Sequence, residues 1–290
     1  MEKCSKCGKK SVYSAQHGPL CESHFLRYFE KKVLNTIKNF KLINSKDVVA
    51  IAVSGGKDST IALDIVAKYC EKRRIKFFAI TVNEGIKKYR EQTIKDIKKF
   101  CKEKKIELKE VSYKKEFGME LDKMIPLAKK KGWDKTPCSI CGVLRRSLLN
   151  KYAKKWGATK LVTGHNADDE AQSILMNLYK ANKDQFVRLG PATGISRKEF
   201  VQRIKPLYFC LEKEVELYTK LKKYSVQLKS CPYSSESFRN YVKKNLWKME
   251  KDYPGTTTSI LQTYLHILPT LKKEFMETST PKKLRKCKLC

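Results

Sequence analysis

Apolar residues recur along the chain in short, dense runs. Val48-Val49-Ala50-Ile51-Ala52-Val53 is apolar at every position, as expected of a strand buried on both faces. Further strands are expected at 77–82, 106–112 and 160–163. Between them the apolar residues step at three- and four-residue intervals, predicting helices over 58–72, 90–104, 118–130, 140–156 and 167–180. An earlier helix over about 25–40 carries Phe25, Tyr28, Phe29, Val33, Ile37 and Phe40 at helical spacing. Strands alternating with helices predict an α/β fold, a doubly wound parallel sheet covered on both faces. The rhythm fails between 181 and 205, where Gly190, Pro191 and Gly194 predict a long loop or hairpin. A mostly helical region follows from about 212 to 275, broken near Cys231-Pro232 and at Pro254-Gly255.

Composition narrows the class. The 290 residues include 63 Lys and Arg against 30 Asp and Glu, a formal net charge of +33. Such a chain repels itself, and a polyanion relieves the repulsion, with nucleic acid the first expectation and an anionic membrane surface the second. No apolar stretch approaches the roughly 18–20 residues of a membrane span, and the N-terminal residues lack the apolar core of a secretory signal, so a cytoplasmic protein is expected. Eleven cysteines in that setting point to metal or thiol chemistry rather than disulfides.

Three segments carry candidate chemistry. Ser54-Gly55-Gly56-Lys57-Asp58-Ser59 follows the first apolar strand and opens a helix, so its backbone amides, two hydroxyls and a lysine can surround an anion. Cys4-x2-Cys7-x13-Cys21-x2-His24 has the ligand types and pairing of a closed tetrahedral zinc site. Cys138-Ser139-Ile140-Cys141 lies before a helix and Cys231 in a later break; spacing alone leaves open an iron–sulfur centre one ligand short, a second structural zinc, or a redox pair of Cys138 with Cys231. Cys70, Cys101 and Cys210 fall in helix or strand contexts and are expected to be inert core thiols.

The Ser54–Ser59 hexapeptide resembles the pyrophosphate loop of the N-type ATP pyrophosphatases, and Thr163-Gly164-His165-Asn166-Ala167-Asp168-Asp169-Glu170, at a strand's C-terminal end, fits the same superfamily. With the Cys3His knuckle, Cys138/Cys141 and Cys231-Pro232, the set resembles the TtcA/TtuA family of tRNA thiolases. The likeness is greatest to the TtuA and archaeal-eukaryotic wobble-uridine 2-thiolation branch, because TtcA proteins lack the knuckle. Asn83-Glu84-Gly85-Ile86, Lys205-Pro206-Leu207 and Tyr253-Pro254-Gly255 extend it over the whole chain.

The resemblance implies a tRNA 2-thiouridine synthetase. ATP would bind at Ser54, Gly55, Gly56, Lys57, Asp58, Ser59 and Gly164, with Asp169 orienting Mg2+ or an ATP-bound group. The uracil O2 would be adenylated, and sulfur activated at a [4Fe–4S] cluster on Cys138, Cys141 and Cys231 would displace AMP. Arg145 stands where the family often has lysine; it keeps a positive charge for the α-phosphate but cannot donate a proton. Asn83 replaces the first carboxylate of the family's Asp-Glu-Gly, and Cys287/Cys290 form half of a second zinc site. The implied organisation is a zinc knuckle over 1–28, an ATP pyrophosphatase-type catalytic domain over 29–211, a helical region over 212–276 that completes the site and binds tRNA, and a basic tail over 277–290.

The wobble uridine, position 34, is the expected target, with position 54 of the T loop the alternative. Other readings are 2-thiocytidine or lysidine synthesis and a non-catalytic zinc-knuckle RNA-binding protein. The sulfur donor is sulfide, a persulfide enzyme or a ubiquitin-like thiocarboxylate carrier, and homodimers are frequent in the family. Lys129–Lys131, Lys154-Lys155, Lys243-Lys244 and Lys282–Lys288 are candidate phosphate contacts, and Trp133 is expected to pack in the core, with stacking on a flipped base the alternative.

Overall fold

The computed structural model describes residues 2–15, 17–133, 136–193, 199–226, 231–233 and 238–278. The tail expected to carry Lys282–Lys288 and Cys287/Cys290 lies outside the described residues.

A hairpin of β1 (Tyr13–Ala15) and β2 (Gly18–Leu20) leads into α1 (Glu22–Asn39). The alternating region then runs β3 (Val48–Ala52), α2 (Lys57–Lys72), β4 (Lys76–Asn83), α3 (Arg90–Glu103) and β5 (Leu108–Ser112). It continues through α4 (Tyr113–Phe117), α5 (Leu121–Lys130), α6 (Pro137–Lys155), β6 (Lys160–Val162), α7 (Ala167–Tyr179), α8 (Lys183–Phe186) and β7 (Gln202–Ile204). Three helices follow, α9 (Glu212–Leu221), α10 (Phe238–Asp252) and α11 (Thr256–Thr278).

The five strands β3 to β7 form one parallel sheet in the order β5-β4-β3-β6-β7. The chain leaves β3 towards one edge and returns through β6 to the other, so the order reverses between β3 and β6. Crevices outside the strand C-termini at such a reversal are where doubly wound sheets bind ligands. The loops at that point are Ser54–Ser59 and Gly164–Asn166.

Each apolar strand run packs helices on both faces. Val49, Ile51, Ile61, Leu63 and Val66 share a core with Phe25, Phe29 and Val33 of α1, while Ala50, Ile80 and Val82 pack against Leu144 and Leu148 of α6. A third cluster joins Ala171 and Ile174 of α7 to Leu246, Leu261 and Tyr264 of the last two helices. Buried Glu214 of α9 accepts from Tyr13 Oη (2.9 Å) and pairs with Lys32 Nζ (2.8 Å), which fixes the hairpin and α1 to the rest of the molecule.

Four expectations need correction. Tyr13–Ala15 and Gly18–Leu20, given no strand by the sequence pattern, pair as a hairpin. Gln202–Ile204, inside the expected 181–205 loop, is the edge strand β7 beside β6. The helix expected over 118–130 starts only at Leu121, as α5, because a separate short helix, α4, precedes it and ends at Gly118, which takes φ +73°. Trp133 is 38% exposed and lies outside the core.

Candidate active site

The turn after β3 is held by its own hydroxyls. Ser59 Oγ accepts from Ser54 N (3.1 Å), donates to Gly56 O (3.0 Å) and lies 3.0 Å from Ser54 Oγ. Gly55 has φ +87°, and a Cβ there would meet Thr93 Cβ at 2.9 Å, so the position needs glycine for both conformation and space. Gly164, arriving from β6, needs it for space alone: a Cβ would sit 2.7 Å from Ser59 N and 2.8 Å from the Asp58 carbonyl carbon. The two loops are therefore in backbone contact at the positive end of α2.

The carboxylates beside this turn are cross-linked. Asn166 caps α7: its side chain accepts from Asp169 N (3.0 Å), and Asp169 Oδ2 accepts from Asn166 N (3.3 Å), a reciprocal capping box. Asn166 Nδ2 also donates to Asp58 Oδ1 (2.8 Å), placing Asp58 and Asp169 on either side of one amide. Neither aspartate is the cap; Asp168 instead accepts from Glu212 N (2.7 Å). Burial raises the carboxyl of Asp58, with Lys57 opposing and Asp169 adding to the shift. Burial likewise pushes Asp168 up to about 6. A divalent cation would relieve this crowding, and one or two carboxylates plus phosphate oxygens is the donor set magnesium favours. Lys57, expected to offer a cation to phosphate, is paired with Glu212 (3.2 Å) and Asp58 (3.4 Å). His165 is exposed, with Nδ1 2.9 Å from Thr163 Oγ1.

The cysteine helix starts at the same edge of the sheet. Thr136 caps α6, accepting from Ser139 N (3.3 Å), and Pro137 supplies a first helical residue whose missing N–H costs nothing. Cys138 and Cys141 thus sit in the first turns, where the helix dipole favours negative charge. Cys138 Sγ donates to Tyr233 O (2.9 Å), and Tyr233 Oη donates to Asp122 Oδ1 (2.9 Å) of α5, which brings the Cys231–Tyr233 segment to the head of α6. Tyr113 Oη donates to Cys141 O (2.8 Å) from beneath. Burial pushes the Cys141 thiol up to about 11, with Arg145 opposing.

The ligand atoms of Cys4, Cys7, Cys21 and His24 all lie within 4.8 Å of one another. Zinc–sulfur bonds of about 2.3 Å place tetrahedral donors roughly 3.8 Å apart, so the N-terminal quartet fits a single ion. Ser23 and the backbone of His24 hold the Cys21 thiol down at about 5, close to the thiolate a metal binds. Cys138, Cys141 and Cys231 instead offer three thiols with the Arg145 guanidinium as a neighbouring cation.

A chain of charges joins the two halves. Arg90, at the start of α3, donates from Nη1 to Ser54 O, from Nη2 to Thr81 Oγ1 (2.6 Å) and from Nε to Val82 O (2.9 Å). Its Nε is also 2.7 Å from Glu84 Oε2, and Glu84 Oε1 is 3.5 Å from Arg145 Nη1. Glu84 is 5% exposed, and its Oε2 has the arginine charge beside it but no hydrogen bond of its own. Arg145 follows Cys141 by one helical turn and keeps 47% of its side chain exposed, so its guanidinium is open to a ligand between loop and cysteines. Sequence reasoning missed Arg90, Asn166 and Arg239, and gave Glu84 no role. Asn166 had a legible signal, the Asn-x-x-Asp capping pattern, whereas a lone arginine in a charged segment has none.

The chain matches the family model described as a PP-loop domain over residues 25–250. It is 35% identical to the tRNA 2-thiolation protein NcsA of Haloferax volcanii, covering 94% of this chain and 88% of that protein. It is 32% identical to the tRNA-5-methyluridine(54) 2-sulfurtransferase of Pyrococcus horikoshii, covering 99% and 88%. Among solved structures it resembles the U34-tRNA thiolase NcsA of Methanococcus maripaludis, determined with its [4Fe-4S] cluster, at 35% identity and a TM-score of 0.82, covering 99% of this chain and 95% of that one. With the pyrophosphate-loop turn, the crevice at the strand reversal and the cysteine trio at its rim, this chain belongs to the PP-loop family, on the branch of the tRNA 2-thiolation proteins and tRNA sulfurtransferases.

Proposed function

We propose that the protein converts the wobble uridine of tRNA to 2-thiouridine, using ATP to activate the uracil O2. The observation that carries this reading is the Ser54–Arg90–Glu84–Arg145 chain, which links the nucleotide turn to the helix bearing Cys138 and Cys141. Two half-reactions on one base need such a link, because the oxygen must first become a good leaving group and sulfur must then arrive at the same carbon.

In the first half-reaction the amides and hydroxyls of Ser54–Ser59 hold the leaving pyrophosphate, with Gly164 allowing the close approach. Asp58 and Asp169 would hold a Mg2+ ion brought in with the phosphates. The uracil O2 attacks the α-phosphorus, the α–β bridging bond breaks, and pyrophosphate leaves with that electron pair. Arg145 stabilises charge on the α-phosphate; its guanidinium stays protonated throughout, so it acts by electrostatics alone. Sulfur then adds at C2, the C2–O bond breaks, and AMP departs with the oxygen.

Cys138, Cys141 and Cys231 would hold a [4Fe–4S] cluster, which would supply the sulfur in activated form. The NcsA structure supports that assignment, and the donor geometry supports Zn2+ at Cys4, Cys7, Cys21 and His24. We place the chemistry in the cytoplasm, where thiols stay reduced. No helix among the described residues is long and apolar enough to cross a membrane. The likeness to a position-54 enzyme supports a second reading, the same chemistry in the T loop.

One experiment separates these. Protein reconstituted with iron and sulfide without oxygen is incubated with unmodified tRNA, ATP, Mg2+ and sulfide, and the digested tRNA is mapped by mass spectrometry. The proposal requires 2-thiouridine at position 34. Thiolation confined to position 54 selects the T-loop reading, and tRNA that gains no sulfur rejects both.

A further inference from the structure

We infer that the outward face of α10 docks an unpaired loop of the RNA substrate; the inference rests on the reading that tRNA is that substrate. At about 100° per residue, Tyr241, Lys244, Trp247, Lys248 and Lys251 fall within an arc of about 120°. The inner face is supplied by Val242 and Leu246, which are buried, Leu246 against α7 and α11. The outward aromatics contribute nothing to that packing: Tyr241 is 66% exposed and Trp247 68%.

The arc carries lysines and no acidic side chain. Glu250 is turned away, its two carboxylate oxygens accepting from Gly255 N (3.0 Å) and Thr257 N (2.8 Å) at the turn into α11. Lysines interleaved with exposed aromatic rings match single-stranded nucleic acid, whose phosphates take the charge and whose bases stack on the rings. A duplex would use the lysines and leave the rings idle, because its bases are already stacked.

The helix also lies at the crevice. Lys243 Nζ is 2.9 Å from Glu212, the same carboxylate that holds Lys57 of the nucleotide turn at 3.2 Å. Arg239 Nη1 is 3.6 Å from Asp169 Oδ1, and its Nη2 donates to Ser173 Oγ at 3.0 Å. Two charged contacts thus moor α10 to the nucleotide turn and to the start of α7. A loop stacked on Trp247 has its neighbouring nucleotides within reach of that crevice.

The test measures the Kd of the full chain for an unmodified tRNA transcript across a salt series. Trp247→Ala should weaken binding at least about fivefold and leave the salt slope unchanged, because stacking releases no counterion. Lys244→Gln with Lys248→Gln should lower the slope by about two. Lys95→Gln with Lys99→Gln, exposed on α3, should keep wild-type affinity. At saturating tRNA, Trp247→Ala should thiolate at the wild-type rate, a change in KM without one in kcat. An RNA duplex should bind the wild type and Trp247→Ala alike.

The inference is overturned if Trp247→Ala and the α10 lysine pair bind like the wild type, or if the α3 pair loses as much. It is overturned too if the duplex shows the same Trp247 dependence as tRNA. Wild-type protein that thiolates tRNA while the α10 variants bind normally refutes the docking face and leaves the enzyme reading intact. Variants that lose binding to a tRNA the wild type cannot thiolate do the opposite.

Discussion

The two cysteine regions share a Cys-x-x-Cys spacing and differ in everything around it. At the N-terminal hairpin, four ligand atoms crowd within 4.8 Å of one another. At the head of α6, Cys138 and Cys141 meet the Cys231–Tyr233 segment among Arg145, Glu84 and Tyr113. The first arrangement has the donor set to close around one metal ion. The second offers thiols beside a partly exposed arginine. Spacing identifies a cysteine as a ligand, but its neighbours decide whether the metal is structural or reactive.

The sharpest way to break this contrast is to remove one cysteine from each region. Cys138→Ala, Cys141→Ala or Cys231→Ala should reduce thiolation below detection while the thermal midpoint stays near wild type, since these residues are only partly buried. Cys4→Ala should behave oppositely. Losing a metal ligand under the hairpin should cost about 2–3 kcal/mol and lower Tm by about 5–10 °C. Thiolation at 25 °C should survive within about tenfold. Calorimetry and a thiolation assay on the same preparations check both, and a Cys4 variant that is stable but inactive would abolish the distinction.

Arg145 gives the next largest effect. Arg145→Ala should lower kcat by about 10²–10³, the usual loss for one transition-state donor, with little change in iron content. Arg145→Lys should recover most of it, because charge is what the position supplies. An inactive lysine variant would mean that the paired N–H groups matter instead.

The smallest effect concerns thiols in neither region. Burial pushes Cys70 up to about 12 and Cys101 up to about 11, so at pH 8 no more than about one in a thousand is a thiolate. Burial raises Cys210 as well. Native protein treated with iodoacetamide at pH 8 should show all three unmodified by peptide mass spectrometry, while Cys7, exposed at the hairpin, reacts once metal is stripped. Modification of Cys70 in folded protein would contradict the core assignment.

The sheet was legible where strands are wholly apolar: β3 and β4 fall within a residue of their expected ends. β7 was hidden because Gln202 and Arg203 leave a three-residue edge strand with no apolar run, and its pairing with β6 is a long-range event. At the site, the hexapeptide, Gly164, Asp169 and the cysteines could be read from residue type and order, since each uses a chemistry few residues share. Glu84 and Arg90 could not. A glutamate and an arginine in a charged segment look like solvated surface until the fold buries both and aims them at each other. The same limit applies to Arg239 and Glu212, whose partners lie far away in sequence.

The central claim is that the nucleotide turn and the cysteine trio are two halves of one site acting in order on one uridine. The ratio of AMP released to 2-thiouridine formed, measured in wild type and Cys231→Ala under the same anoxic conditions, tests it most directly. The account predicts a ratio near one for the wild type. In the variant it predicts continued tRNA-dependent AMP formation, from hydrolysis of the activated base, with no 2-thiouridine. Thiolation that persists in Cys231→Ala, or that proceeds in the wild type without AMP, would contradict it.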